Sequence, residues 1–398
     1  MPDTLASTLQ RLDVRSPQYA TEFVAALLEA AATSGVSDVH LHPVEKSLEV
    51  RWRVDGVLQS VGMFARGEAA DVVTRLKVLA QLLTYHSDVP QEGRLRDVPG
   101  GIEMRLSTFP TLHGERATIR LFAASEQHRY PDELGLPDDI LRELDSLLQG
   151  SSGALVIAGP AGSGKTTTAY ACLREIVRRS NGSRNIVTLE DPIESALAGA
   201  SQSQVKPAAG FTLGAGLRSL LRQDPEVILV GEIRDRETAE GVFQAALTGH
   251  LVLSTFHAGS AVEAIARLIE MSIEPYSLRS GLQAVLCQRL VRRLCGCARP
   301  AEHDEELLGL NIPRGGAKIA GGCPRCLQTG YRGRALLAEL LARRNGTLTG
   351  DLLQRTDTHS IGAAAIISGM VTLESRACEG VASGITSPAE VRRVLGTA

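Results

Sequence analysis

Residues 159–166 read Gly159-Pro160-Ala161-Gly162-Ser163-Gly164-Lys165-Thr166, the spacing of a loop that wraps a phosphate. Its glycines let successive backbone N–H groups converge on phosphate oxygens. Lys165 would reach the β- and γ-phosphates of a nucleotide, and the Thr166 hydroxyl would hold Mg²⁺. The apolar run Ala154-Leu155-Val156-Ile157 precedes the motif and the helical stretch Thr167 to Arg178 follows it. A Gly-rich turn that merely resembles the pattern does not need that strand and helix; a phosphate site does, because the helix adds the positive end of its dipole. The expected nucleotide-binding set is Gly159, Gly162, Ser163, Gly164, Lys165, Thr166 and Thr167. Lys occurs elsewhere only at 46, 77, 206 and 318, and the other 37 of the 42 basic residues are Arg. A Lys kept inside a motif therefore suggests a task for ammonium that guanidinium cannot perform.

A nucleotide hydrolase also needs carboxylates near the γ-phosphate. Ile186 to Leu189 runs into Glu190-Asp191-Pro192, and Val227 to Val230 runs into Gly231-Glu232. Both acids fall at carboxyl ends of expected strands, where open α/β sheets place ligands; charged strand ends are also common surface features. Gly231 stands where related motifs carry Asp, so Glu232 is expected to meet a metal through water. His250 and His257 bracket the run Leu251 to Ser254. They are either structural histidines or sensors of the γ-phosphate.

These groups need elements to position them. At 398 residues and about 150 per domain, two or three domains are expected. A small α+β domain is expected over 17–125, behind an N-terminal extension at 1–16. It has a helix over 17–34, strands at 38–42 and 48–54, helical periodicity over 67–83, and strands near 102–108 and 115–122 after a Pro99-Gly100-Gly101 turn. A polar linker over 126–139 holds two prolines and ends in the helix-starting Pro137-Asp138-Asp139. From 140 to 398, apolar runs alternate with helical stretches, which implies a largely parallel sheet covered on both faces. A Cys-rich subdomain is expected at 290–335 and C-terminal helices at 336–398.

The net charge of −3 offers no basic track for direct nucleic-acid binding. An N-K-x-D sequence, which reads guanine, does not occur. No apolar run approaches the roughly 18 residues of a membrane span, and the start MPDTLASTLQ lacks an export pattern. The expected location is the cytoplasm, where thiols stay reduced and paired cysteines point to metal before disulfide. Cys172, Cys287 and Cys378 lie in apolar stretches expected to be helical and are read as small core residues.

GPAGSGKTTTAY (159–170), NIVTLEDPIE (185–194), LRQDPEVILVGEIRDRETAE (221–240) and TGHLVLSTFHA (248–258) together resemble the ATPases of type II secretion and type IV pilus assembly. The stretches 36–59, 90–122, 323–340 and 367–395 extend the resemblance from about residue 20 to the end. It implies a RecA-like P-loop ATPase domain behind a small N-terminal α+β sheet domain, with ATP and Mg²⁺ bound. It also implies a homo-hexamer lying peripheral to the inner membrane through platform proteins of a secretion or pilus machine. Glu232 becomes the catalytic carboxylate, Glu190 a water-positioning group, and His250 and His257 a histidine box. Arg94, Arg105 and Arg120 match N-terminal arginines that reach a nucleotide as charge-neutralising fingers; alternating Arg on a strand is equally the pattern of a solvated face.

The family carries a zinc-binding element of two C-x-x-C pairs. Here Cys323-Pro-Arg-Cys326 keeps that spacing, whereas Cys295-Gly-Cys297 is one residue short. Four thiolates still suit tetrahedral zinc, so Zn²⁺ is expected. Pilus retraction motors generally lack this element, which favours assembly or secretion. Longer members have a further N-terminal docking domain, and only about twenty residues precede the first matched helix here. The shortened pair and the short front motivate a second reading, a nucleotide-gated scaffold with little hydrolysis, and the fold admits a third, a DNA-uptake or nucleic-acid translocase, which the charge disfavours.

Overall fold

The structure is a computed structural model that describes all residues except 1, 68–70, 97, 99–101, 123–127, 311, 313–315, 355–356 and 397–398. The expected turn at 99–101 and the first two residues of the expected linker lie outside the described residues. The chain divides into two compact units, Met1–Ser125 with Gly322–Arg332, and Glu126–Gly321 with Gly333–Ala398.

The first unit runs α1 (Pro2–Gln10), α2 (Tyr19–Thr33), β1 (Val36–Pro43), β2 (Leu48–Val54), β3 (Val57–Phe64), α3 (Val72–Leu79), β4 (Gln91–Arg94), β5 (Glu103–Thr111) and β6 (Gly114–Phe122). Its six strands form one sheet in the order β3-β2-β1-β6-β5-β4 with antiparallel neighbours. Period-two alternation sorts the faces: Leu48, Val50 and Trp52 turn inward while Arg51 stays exposed. The inward face shares a core with Phe23 and Leu27 of α2 and Val73 and Leu76 of α3. Residues 2–10, expected as part of an extension, form a helix whose Leu5 and Leu9 enter that same core. Lys77 is fully buried, donating to both oxygens of Glu115 at 2.9 and 2.8 Å and to the His86 carbonyl at 2.6 Å.

The second unit runs α4 (Asp138–Gln149), β7 (Gly153–Ala158), α5 (Lys165–Ser180), β8 (Ile186–Glu190), β9 (Ser201–Gln204), α6 (Leu213–Leu220), β10 (Val227–Ile233), α7 (Arg236–Leu247), β11 (Leu251–Phe256), α8 (Ala261–Glu270), α9 (Pro275–Gly281) and β12 (Leu282–Leu294). The two-residue strands β13 (Arg299–Pro300) and β14 (Lys318–Ile319) pair with each other, then β15 (Tyr331–Ala342) and helices α10 (Thr358–Ile367), α11 (Leu373–Ala382) and α12 (Pro388–Leu395) follow. The large sheet has the order β15-β12-β7-β11-β10-β8-β9, and the five pairings from β12 to β9 are parallel. Both faces are covered. In β7, Ala154, Val156 and Ala158 join the core with Val242, Phe243 and Ile265, while Leu155 and Ile157 join the one with Leu144, Tyr170 and Ile176. Burial on both sides is why these strands read as unbroken apolar runs.

Two expectations are corrected. Residues 336–342, expected as helix, are strand: Leu337, Leu341 and Ala342 are buried beside β12, and sheet packing outweighs the helix propensity of Ala and Leu. Cys287, expected in a helical context, is a fully buried strand residue of β12, whereas Cys172 and Cys378 lie on helices α5 and α11.

Candidate nucleotide site

β7 ends at Ala158 and α5 begins at Lys165, so residues 159–164 form the loop at the carboxyl end of a central strand. Gly164 precedes the helix with φ +89°, a left-handed conformation that an L side chain adopts only with strain. The Lys165 ammonium folds back over the loop, donating to the carbonyls of Gly159 at 2.9 Å and Pro160 at 3.0 Å. Burial pulls its pKa below the usual lysine range, and Glu232 and Glu194 act in the opposite direction. The loop thus holds a buried cation within electrostatic reach of two acids.

The acids come from adjacent strands. The Glu194 carboxylate, four residues past the end of β8, accepts from the Thr166 hydroxyl at 3.3 Å. Glu232 sits near the end of β10, where the pairing with β11 shifts register between Val230 and Ile233. An irregularity of this kind re-aims a side chain beside a site. Ser254 and Thr255 of β11 hold that stretch by donating to the carbonyls of Val230 at 2.8 Å and Gly231 at 2.6 Å. Both Glu232 oxygens are engaged: Arg234 Nε donates to Oε2 at 2.9 Å, and His257 Nε2 lies 3.0 Å from Oε1. Arg234 also reaches Asp191 at 3.2 Å.

The other expected residues separate. Glu190 does end β8, but it is 3% exposed and accepts from Tyr170, from Thr188 at 2.5 Å and from Gln202 at 3.1 Å. Its carboxylate therefore ties α5 to the sheet and braces the edge strand β9, and the acid that reaches Thr166 is Glu194. Burial and the Glu190 carboxylate together raise the pKa of the Tyr170 phenol. His250 and His257 lie at opposite ends of β11, six residues at about 3.3 Å each. His250 is at the amino end, with Nδ1 2.9 Å from the Ala245 carbonyl and 3.1 Å from the Thr248 hydroxyl. Glu194 and Arg234 were missed as site residues, although each lies within two to four residues of an acid the sequence marks.

In the first unit, Arg94, Arg105 and Arg120 are aligned directly across β4, β5 and β6. The row continues through Asp38 on β1 to Arg53 on β2. Asp38 pairs with Arg120 at 3.0 Å and Arg53 at 3.6 Å, and Glu103 pairs with Arg105 at 3.0 Å and Arg94 at 3.6 Å. Two carboxylates thus hold four guanidinium groups in one line.

The sulfurs of Cys295, Cys297, Cys323 and Cys326 all lie within 4.8 Å of one another, with Cys323 and Cys326 at 3.6 Å. Zinc–thiolate bonds of about 2.3 Å at tetrahedral angles separate sulfurs by roughly 3.8 Å, so the four thiols fit that ion despite the short first pair.

A strand–loop–helix cradle with Lys165, on a parallel sheet covered by helices on both faces, defines a P-loop nucleotide-binding domain of the RecA-like class. Residues 14–393 match the family described as Type II/IV secretion system protein, and the chain belongs to that family. It is 41% identical over 378 residues to the type II secretion system protein E of Dickeya dadantii, covering 93% of this chain and 74% of that one. It is 41% identical over 384 residues to the type II secretion system ATPase E of Vibrio cholerae, covering 94% and 75%. Its fold is similar to that of the Legionella pneumophila ATPase DotB, with a TM-score of 0.66, 22% identity and coverage of 93% and 94%.

Proposed function

We propose that this chain is an ATP-hydrolysing motor that drives assembly of a type II secretion pseudopilus or a type IV pilus. The observation that carries the reading is the convergence of Lys165, Thr166, Glu194 and Glu232 at the mouth of the sheet. Backbone N–H groups of the loop and of the first turn of α5 bind the phosphates, and Lys165 exchanges the Gly159 and Pro160 carbonyls for phosphate oxygens. Thr166, with Glu194 and Glu232 behind it, would hold Mg²⁺, which neutralises charge on the phosphates when bound. Glu232 orients the attacking water and accepts its proton, and His257 holds the carboxylate for that step. Arg94, Arg105 and Arg120 supply cationic groups to the transferring phosphoryl group.

The family and the 41% identity to secretion ATPases support a homo-hexameric ring working with inner-membrane platform proteins from the cytoplasmic side. No helix among the described residues is long and apolar enough to cross a membrane, in keeping with peripheral attachment through those partners. The four thiols support one Zn²⁺ per chain. Steady-state ATP hydrolysis by the native chain, Lys165→Ala and Glu232→Gln tests the reading: native turnover should exceed both variants at least about a hundredfold. Equal low rates in all three, with ATP still bound tightly by the native chain, would instead indicate a nucleotide-gated scaffold.

A further inference from the structure

Gln288 is fully buried on β12 although it interrupts an apolar face. Its position follows from register. The β12–β7 pairing ends at Cys287 opposite Ala158, so Gln288 stands where the partner strand leaves the sheet as the nucleotide loop. Its side chain uses both ends there: Nε2 donates to the Ser163 carbonyl at 2.8 Å, and Oε1 accepts from the Thr168 hydroxyl at 3.0 Å. A carbonyl can only accept, so the Ser163 contact fixes which way the amide points.

The loop is packed onto this residue as well as bonded to it. A Cβ on Gly159 would come within 2.7 Å of the Gln288 carbonyl oxygen, and one on Gly164 within 3.2 Å of Gln288 Nε2. For N–H groups to converge on phosphate, loop carbonyls must turn the other way, and those turned inward to protein need donors. Gly159 and Pro160 carbonyls are met by Lys165, which is needed for phosphate; the Ser163 carbonyl is met by Gln288, which is not.

We propose that Gln288 is a positioning residue that holds the loop in its phosphate-binding shape whether or not Lys165 is engaged there. The task needs a donor and an acceptor on one side chain of this length, which Glu and Leu do not offer and Asn is too short to span. The inference rests on ATP binding at residues 159–166.

The test compares the full-length native chain with Gln288→Leu, Gln288→Glu and Thr168→Val. ATP affinity, KM and kcat are measured beside thermal unfolding without nucleotide. Gln288→Leu and Gln288→Glu should raise Kd and KM at least about tenfold with kcat at saturation changed less than about threefold, the pattern of lost uniform binding. Thr168→Val, which frees one end of the amide, should raise Kd by about threefold. A native chain that fails to bind ATP sinks the underlying site. A native chain that binds, beside folded Gln288 variants with unchanged Kd, overturns the role of Gln288 alone. Should the Gln288 variants not fold, an unchanged Kd in Thr168→Val overturns it equally.

Discussion

His257 and Glu232 are joined across adjacent parallel strands, ring Nε2 to carboxylate Oε1 at 3.0 Å, Glu232 within the register shift of β10 and His257 one residue past the end of β11. Glu232 is thereby held between an imidazole and the Arg234 guanidinium, 18% exposed and aimed by neighbours rather than free to rotate. If Glu232 is the base proposed above, it acts with its holder as a unit, so their losses should not add. His257→Ala is expected to lower kcat about tenfold to a hundredfold with ATP affinity unchanged. The double variant with Glu232→Gln should be no slower than Glu232→Gln alone. Multiplicative losses in kcat would show that the two act separately.

The row formed by Arg53, Asp38, Arg120, Arg105 and Arg94 yields a prediction that separates finger from solvated face. Arg94, Arg105 and Arg120 are 68%, 43% and 67% exposed at the side chain, so deleting one should leave thermal stability within about 0.5 kcal/mol. Turnover should fall at least about tenfold in each alanine variant if the row meets the transferring phosphoryl group. Arg51→Ala, on the exposed face of β2 but outside the row, serves as the control. Native turnover in all three row variants would return the arginines to the solvated surface.

Much of this site was legible because its signals are local. Gly159 to Thr166 is one continuous motif, and the runs at 154–157, 186–189, 227–230 and 251–254 are apolar because both faces of their strands are covered. What escaped depends on register and contact. Nothing local distinguishes Glu190, turned inward to Tyr170 and Gln202, from Glu194, turned to Thr166. The alignment of Arg94, Arg105 and Arg120 requires the pairing of three strands. β15 is built from helix formers, and its buried Glu339 looks misplaced until it is seen to cap two helices, accepting from Ala261 at 2.6 Å and Leu373 at 2.8 Å.

The cysteine cluster predicts a metal content. Purified under reducing conditions, the native chain should carry one zinc per chain by elemental analysis, and Cys297→Ser or Cys323→Ser should lose it. Chelation should lower the thermal midpoint of the native protein but leave that of the Cys297→Ser variant unmoved, since binding free energy contributes to folding. Equal zinc in native and variant protein would exclude the four thiols as its site.

Acid sensitivity is predicted at the end of β12. Glu390 on α12 is fully buried and accepts from the Arg292 backbone N–H at 2.9 Å and from the Arg292 and Arg393 guanidinium groups at 2.6 to 3.0 Å. Burial alone would raise its pKa, but the bonds from Arg393 and Arg292 outweigh it and hold the group below its ordinary 4.5. The unfolded chain therefore takes up this proton first as pH falls. The stabilisation is complete above about pH 4.5 and is lost as pH drops through the lower folded-state value. Glu390→Gln should cost about 2 kcal/mol at pH 7, because it leaves the Arg292 guanidinium, 14% exposed at the side chain, facing a neutral amide, while Arg393, 44% exposed, turns to water. Urea unfolding of both proteins between pH 7 and pH 3 should show that gap closing on the acid side. Other acid-sensitive carboxylates act on both proteins alike, so a gap of constant size across the range would mean that the Glu390 charge carries none of it.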